Sequence, residues 1–237
     1  MQTSPLSVGI FAKAPVPGLA KTRLIPRLGP EGAARLQSSL TRRAVKLARE
    51  SNIGPVSLWC TPTTRHPLFQ ALAGEFGVAL RDQAEGDLGA RMCDALCQLT
   101  RDSPALLIGT DSVVLESRHL INAANLLRAE CDAVFIPVED GGYLLVGVRQ
   151  CQPALFQGLA WNTSAVMEET RKRATHLGLA IAELETLWDI DVPEDYDRAL
   201  RLGCSSNALS ECQPQPDERL RHARKQSRHI DRLCRRF

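Results

Sequence analysis

Apolar residues recur along this chain in two rhythms, short unbroken runs and longer stripes of period three to four, which is the pattern of strands exchanging with helices. The runs at residues 8–12, 55–60, 78–81, 105–108, 132–138, 143–148 and 180–184 are predicted strands. Between them, a stripe at Ala33, Leu36, Leu40, Ala44 and Leu47 predicts a helix opened by Gly29-Pro30-Glu31-Gly32 and closed near 52–54. Further helices are predicted at about 66–76, 88–99, 117–129, 163–177 and 193–202, with Asn162 or Thr163 as the N-cap of the fifth. Such alternation implies an α/β fold, a Rossmann-like, mixed, mostly parallel sheet with helices on both faces. The exception is Glu139-Asp140-Gly141-Gly142 between two runs, which reads as a hairpin turn and makes that pair antiparallel.

At 237 residues and 44% hydrophobic, the chain can bury one sizeable α/β core, placed at residues 1–203. Residues 204–237 are polar, then basic. Leu220, Ala223, Ser227, Ile230, Cys234 and Phe237 are spaced so that this tail can form an amphipathic helix against a partner or acidic surface. Net charge is +2, yet residues 213–237 carry eight Lys/Arg against three Asp/Glu, leaving 21 basic and 24 acidic groups in the rest. That balance gives no nucleic-acid footprint. With no long apolar span and no signal-type segment, the expectation is a cytoplasmic protein without a transmembrane helix. Eight cysteines show neither a Cys-x-x-Cys pair nor a zinc-finger His spacing, so free thiols are expected rather than a structural metal site. Cys93 and Cys97 read simply as one helical turn apart.

The densest chemistry follows the first run, where Lys13, Lys21 and Arg23 fall within eleven residues, with Pro15 and Pro17 stiffening the loop and Gly18 admitting a close ligand. The loop suits a diphosphate, although neither phosphate-loop nor dinucleotide-fingerprint spacing is present, and a solvated surface loop has the same composition. Asp111 ends a fully apolar strand, where open α/β sheets place ligands. Asp87 reads as a helix N-cap or a ligand contact. Asp189 and Asp191 alternate along an extended segment and share a face, whereas Glu194 and Asp195 belong to a helix start. Tyr143 and Trp161 suit either a stacked base or sugar or the core. His66, His119 and His176 fall on helix starts or surfaces, and no Ser-His-Asp or Cys-His arrangement emerges.

Taken in order, Phe11-Ala12-Lys13-x-Pro15-x-Pro17-Gly18-x-x-Lys21-Thr22-Arg23-Leu24, Gly86-Asp87-Leu88-Gly89-x-Arg91-Met92, Gly109-Thr110-Asp111, Glu139-Asp140-Gly141-Gly142-Tyr143, Trp161-Asn162-Thr163 and Asp189-Ile190-Asp191-x-Pro193-Glu194-Asp195 resemble a bacterial GT-A-type glycosyltransferase family. Some of its members are labelled arsenosugar-biosynthesis glycosyltransferases. The resemblance spans about residues 7–202. It implies the nucleotide-diphospho-sugar transferase fold, and the loop and acidic end are also similar to phospholactate and molybdenum-cofactor guanylyltransferases. By position, it implies that Ala12, Lys13, Gly18, Lys21, Arg23 and Asp87 face the nucleotide phosphates, with Lys21, Arg23 and Asp111 catalytic. It further implies that Asp111, with Asp191 or Asp189, holds Mg²⁺ or Mn²⁺, and that Asp140, Gly141, Gly142, Tyr143 and Trp161 line the substrate side. The implied activity is glycosyl transfer from a nucleotide-sugar to a small-molecule acceptor. Nucleotidyl transfer from a nucleoside triphosphate is the alternative, and a catalytically silent nucleotide-binding protein is a third reading. One departure is plain: the family usually has a proline shortly after Gly-Thr-Asp, and here the run is Ser112-Val113-Val114.

Overall fold

The computed structural model describes residues 5–129, 131–161 and 163–203. The expected amphipathic tail, with Cys204, Cys212, Cys234, His222 and His229, lies outside these, as does Asn162. The chain runs β1 (Ser7–Lys13), α1 (Ile25–Glu50), β2 (Val56–Thr61), α2 (Pro67–Phe76), β3 (Ala79–Asp82) and α3 (Leu88–Leu99). It continues through β4 (Ala105–Ile108), α4 (Ser117–Ala129), β5 (Ala133–Pro137), β6 (Tyr143–Val148), α5 (Val166–His176), β7 (Ile181–Glu183) and α6 (Pro193–Arg201). The strands form one sheet in the order β3-β2-β1-β4-β6-β5-β7. All pairings are parallel except those of β6, which is antiparallel to both β4 and β5. This is the expected mixed, mostly parallel architecture.

Strand residues alternate between two apolar layers. Val8, Ile10, Leu58, Leu106, Ile108, Val134 and Ile136 pack against α1, α2 and α4, while Trp59, Leu107, Phe135, Val146 and Val148 pack against α3 and α5. A sheet covered on both faces explains why its central strands are continuous apolar runs. Each fully buried Leu or Ile there contributes about 1.5–3 kcal/mol of burial free energy.

A third cluster positions the site: Leu24, Leu28, Leu36 and Leu40 of the α1 region close on Val113, Trp188, Ile190, Tyr196 and Ala199. Gly29 breaks the first turn of α1 at φ 71°, ψ 166°, which lets the four-residue turn before it bend onto this cluster. Arg198 forks onto Glu139 at 2.6 and 3.0 Å and lies over the Trp188 ring at 4.4 Å, tying α6 to the β5–β6 turn. The guanidinium holds the Glu139 carboxyl below the usual carboxylate range.

Three expectations need correction. The N-cap position of α5 is Ala165, and the Thr163 hydroxyl instead donates to the Ala160 carbonyl at 2.7 Å, because residues 163–165 bend and turn before the helix begins. His119 is buried rather than superficial, its Nδ1 accepting the Glu116 N–H at 2.8 Å and its Nε2 meeting Glu185 at 2.7 Å. Cys93 and Cys97 are joined by Cys151, the three sulfurs lying within 4.8 Å of one another. No helix among the described residues is long and apolar enough to cross a membrane.

Candidate functional site

A cleft of about 570 Å³ opens beyond the carboxyl ends of β1 and β4. These neighbours mark the place where strand order reverses, since β2 and β3 lie on one side of β1 and β4, β6, β5 and β7 on the other. Connections leave the two strands toward opposite sides there, so the crevice is built by topology. Its walls carry Ala12, Lys13, Lys21, Arg23, Asp111, Tyr143, Asp189 and Asp191, residues spread over almost the whole sequence.

The cationic loop is held before any ligand arrives. Amide groups of Val16, Leu19 and Ala20 donate to the carbonyls of Ala14, Val16 and Val16 at 2.9–3.0 Å, and a single 3-10 turn at Thr22–Leu24 leads into α1. Lys21 takes left-handed backbone angles, φ 46° and ψ 47°, at a cost of roughly 1–2 kcal/mol for a residue with a Cβ. That conformation swings its side chain inward to 5% exposure. There Nζ donates to Asp111 Oδ1 at 2.7 Å and to the Ile190 carbonyl at 2.7 Å. A buried ammonium is tolerated only when so paired. Arg23 contacts Asp191 beside it.

Asp111 is fixed from its own backbone, its carbonyl accepting the Ile190 N–H at 2.9 Å. Ser112 donates to the Trp188 carbonyl at 2.8 Å, Val113 is buried, and Arg43 holds the Val113 and Leu115 carbonyls at 2.7 and 3.0 Å. The loop without the family's proline is therefore anchored by side chains. Desolvation, and next the carboxylates of Asp140 and Asp111, push Asp189 up to about 6.

This crowding predicts a stability effect. Asp189→Asn should stabilise the ligand-free protein at pH 7 by about 1–2 kcal/mol after allowance for solvent screening. Because the folded-state value lies above the ordinary one, wild-type stability falls as pH rises from about 4 through about 6, so the variant's advantage should vanish near pH 4. Thermal unfolding of both proteins at the two pH values checks this.

The remaining expected residues are not brought to the cleft wall. Gly18 is exposed at φ 82° and serves the turn of the loop. Asp87 caps α3, accepting the Ala90 N–H at 2.8 Å. Asp140 accepts the Gly142 N–H at 3.0 Å, within the hairpin turn. Trp161 packs edge-on to Tyr143 and against Gly89, where a Cβ would stand 2.6 Å from its indole nitrogen.

Among the polar wall residues missed from sequence, Gln37, Gln83 and Arg91 form side-chain networks of their own. Gln37 is buried and donates to the Thr110 and Thr41 hydroxyls at 3.0 and 3.3 Å. Its signal was a polar pair, Gln37 and Thr41, one turn apart on the apolar stripe of α1. Arg91 donates to Gln83 Oε1 at 3.1 Å, and the Gln83 amide donates to the Trp59 carbonyl at 2.9 Å. Arg91 was visible inside the Gly86-to-Met92 motif, but nothing local placed it beside β1.

Aspartate oxygens at Asp111, Asp189 and Asp191 suit a hard divalent cation, which takes one or two carboxylates and completes its shell with phosphate oxygens and water. Among the described residues no three carboxylates gather within 4.8 Å, and Lys21 holds Asp111. The donors thus fit a cation shared with a phosphorylated ligand rather than a closed protein cage.

The same architecture occurs in solved structures. A provisionally named nucleotide-diphospho-sugar transferase from Desulfovibrio desulfuricans is 25% identical, with a TM-score of 0.78 over 88% of this chain and 94% of that one. 4-Diphosphocytidyl-2C-methyl-D-erythritol synthase from Anaerococcus prevotii, at 10% identity and TM-score 0.55, matches 84% of this chain and 96% of its own. The inositol-1-phosphate CTP transferase of T. maritima, at 12% identity and TM-score 0.55, matches 90% and 98%. No curated protein matches by sequence. The fold is that of the nucleotide-diphospho-sugar transferases. Residues 44–163, half of the sequence, match one family along their length, and the chain belongs to it: the uncharacterized proteins conserved in bacteria designated DUF2064.

Proposed function

We propose that this protein is a nucleotide-using transferase whose leading activity is glycosyl transfer from a nucleotide-sugar to a small-molecule acceptor in the cytoplasm. The observation that carries the reading is the meeting of Lys21 with Asp111 at the sheet's switch point, a cation and a carboxylate 2.7 Å apart in a cleft of nucleotide size. Lys13, Lys21 and Arg23 receive the diphosphate, and the nucleoside lies toward Leu88, Gln83 and Arg91. As the acceptor hydroxyl oxygen bonds to the anomeric carbon and gives up its proton to solvent, the carbon–oxygen bond to the diphosphate breaks and the leaving group keeps the electron pair. Lys21 and Arg23 are placed to offset that growing charge in a partly water-excluded site, the most effective place for fixed charges. Mg²⁺ or Mn²⁺ held by Asp111 with Asp189 or Asp191 would supply further charge neutralisation on the phosphate oxygens.

A second reading, nucleotidyl transfer, is favoured by the three cations of the loop, which match a triphosphate. There an acceptor phosphate bonds to the α-phosphorus and pyrophosphate departs along Lys21 and Arg23.

Thermal unfolding with nucleoside triphosphates and nucleotide-sugars, each with and without Mg²⁺ or Mn²⁺, tests both. A ligand present at 100 times its Kd stabilises by about 2.7 kcal/mol, roughly 5–10 °C for a domain of this size. A cation-dependent shift with one nucleotide-sugar supports glycosyl transfer, and one confined to a triphosphate supports nucleotidyl transfer. No shift with any of them overturns both in favour of a silent fold.

A further inference from the structure

A second cluster of reactive side chains lies on the opposite layer from the cationic loop. Helix α3 carries Cys93 and Cys97 one turn apart, and Cys151 enters from the segment just past β6. Cys93 Sγ lies 4.0 Å from Cys97 Sγ and 3.8 Å from Cys151 Sγ. All three sulfurs fall within 4.8 Å of one another. None of the three lines the cleft.

That spacing is chemically specific. Thiolates about 2.3 Å from a shared cation stand about 3.8 Å apart in a tetrahedron and about 4.0 Å apart in a trigonal plane. The sulfurs therefore already stand close to the separations a thiolate-bound cation requires. The backbone fixes them: the Cys151 N–H donates to Thr100 Oγ1 at 3.2 Å, and that hydroxyl donates to the Leu96 carbonyl at 2.8 Å, latching Cys151 to the last turn of α3. Apart from contacts among themselves, the thiols hold one weak bond among the described residues, from Cys151 Sγ to the Cys93 carbonyl at 3.5 Å. Burial is graded from Cys151, buried, through Cys93 to Cys97, exposed, so the cluster has a dry floor and an open mouth.

We infer that Cys93, Cys97 and Cys151 form a three-thiolate site for a thiophilic d¹⁰ cation, best matched by zinc(II), with its fourth position open to an exogenous ligand. Zinc is favoured over a monovalent ion because a dication leaves only one net negative charge over three thiolates in a half-buried setting. Binding exchanges each S–H bond for an S–Zn bond and releases the three protons to solvent, with no change of oxidation state. Because each thiol gives up its proton on binding, zinc uptake should strengthen with rising pH. The inference is independent of the nucleotide reading.

The test uses the reduced, metal-free full chain, titrated with cobalt(II) and then zinc(II). The expected result is one equivalent bound, a thiolate-to-cobalt charge-transfer band, and its loss as zinc displaces cobalt. Cys93→Ser, Cys97→Ser and Cys151→Ser should each weaken zinc binding about ten-fold or more, whereas Cys131→Ser should not. A readout that does not depend on variant folding is alkylation of the wild-type protein, in which zinc should slow modification of Cys93, Cys97 and Cys151 but not of Cys131. Failure to retain zinc, undiminished affinity in Cys151→Ser, or protection confined to Cys204, Cys212 or Cys234 would each overturn the assignment.

Discussion

Lys21→Met should separate nucleotide binding from cation binding. The variant keeps the length and apolar bulk of the side chain but removes the charge that Asp111 and the Ile190 carbonyl share. Loss of one preorganised donor to a developing phosphate charge costs on the order of 100-fold in turnover, the largest effect expected at this site. The same change frees Asp111, which is 46% exposed, from its cation and leaves the cleft with an excess of carboxylates. Affinity for Mn²⁺ in the absence of nucleotide should therefore rise by roughly 1–2 kcal/mol, measured by calorimetry. Asp111→Asn is the converse: it should lower both Mn²⁺ affinity and turnover, and it should also lower stability, because it leaves the buried Lys21 ammonium with only the Ile190 carbonyl and a neutral amide oxygen. If Lys21→Met bound nucleotide as tightly as the wild type, the phosphate role of this lysine would be excluded.

Gly141→Ala should be the most destabilising small substitution in the domain. Gly141 sits at φ 91°, and a Cβ there would stand 2.0 Å from the Ser164 carbonyl oxygen. The close approach has a structural cause: the Gly141 carbonyl accepts the Met167 N–H at 2.8 Å, which seats the start of α5 on the hairpin turn. A methyl group must either part these segments or force the strained backbone, at a cost of upwards of about 3 kcal/mol. For a domain of about 200 residues that is a fall of roughly 6–12 °C in Tm. Gly142→Ala is the control, since its Cβ would meet Asp140 Oδ1 at 3.4 Å and Val138 Cγ2 at 3.5 Å, both ordinary contacts, and the expected cost is under about 1 kcal/mol. Thermal unfolding of the two variants distinguishes a packing glycine from one reserved for a ligand. A substrate role for Gly141 would instead appear as lost affinity at nearly unchanged Tm.

Local signals carried most of the fold. The run Ala105–Ile108 is buried on both faces and has no competing periodicity, so its boundaries in sequence and structure agree. The same holds for α3 and α4, which begin after polar or turn residues and carry unbroken apolar stripes. Helix α1 was less legible because its first turn is cut off by Gly29, a break that a stripe beginning at Ala33 does not reveal. At the site, residues at strand ends were legible because β1 and β4 end in abrupt changes from apolar to charged sequence. Gln37 and Arg91 were not, because each reaches the cleft from a helix whose rotation about its axis only tertiary packing decides. Cys151 illustrates the same limit, as its partners stand more than fifty residues earlier and meet it only through the antiparallel insertion of β6 beside β4.

The Lys21 bridge joins segments from opposite ends of the described chain, 169 residues apart. Ser112 to Trp188, Ile190 to Asp111 and Arg23 to Asp191 close the same seam. During synthesis the parallel strands β1, β2, β3 and β4 can assemble once residue 108 has left the ribosome, while the acidic wall of the cleft is still unmade. The scaffold strands are thus synthesised well before the cleft's acidic wall. A chain that stalls before residue 190 would leave Lys21 without its carbonyl partner, so the lysine would lack one of the two contacts that hold it.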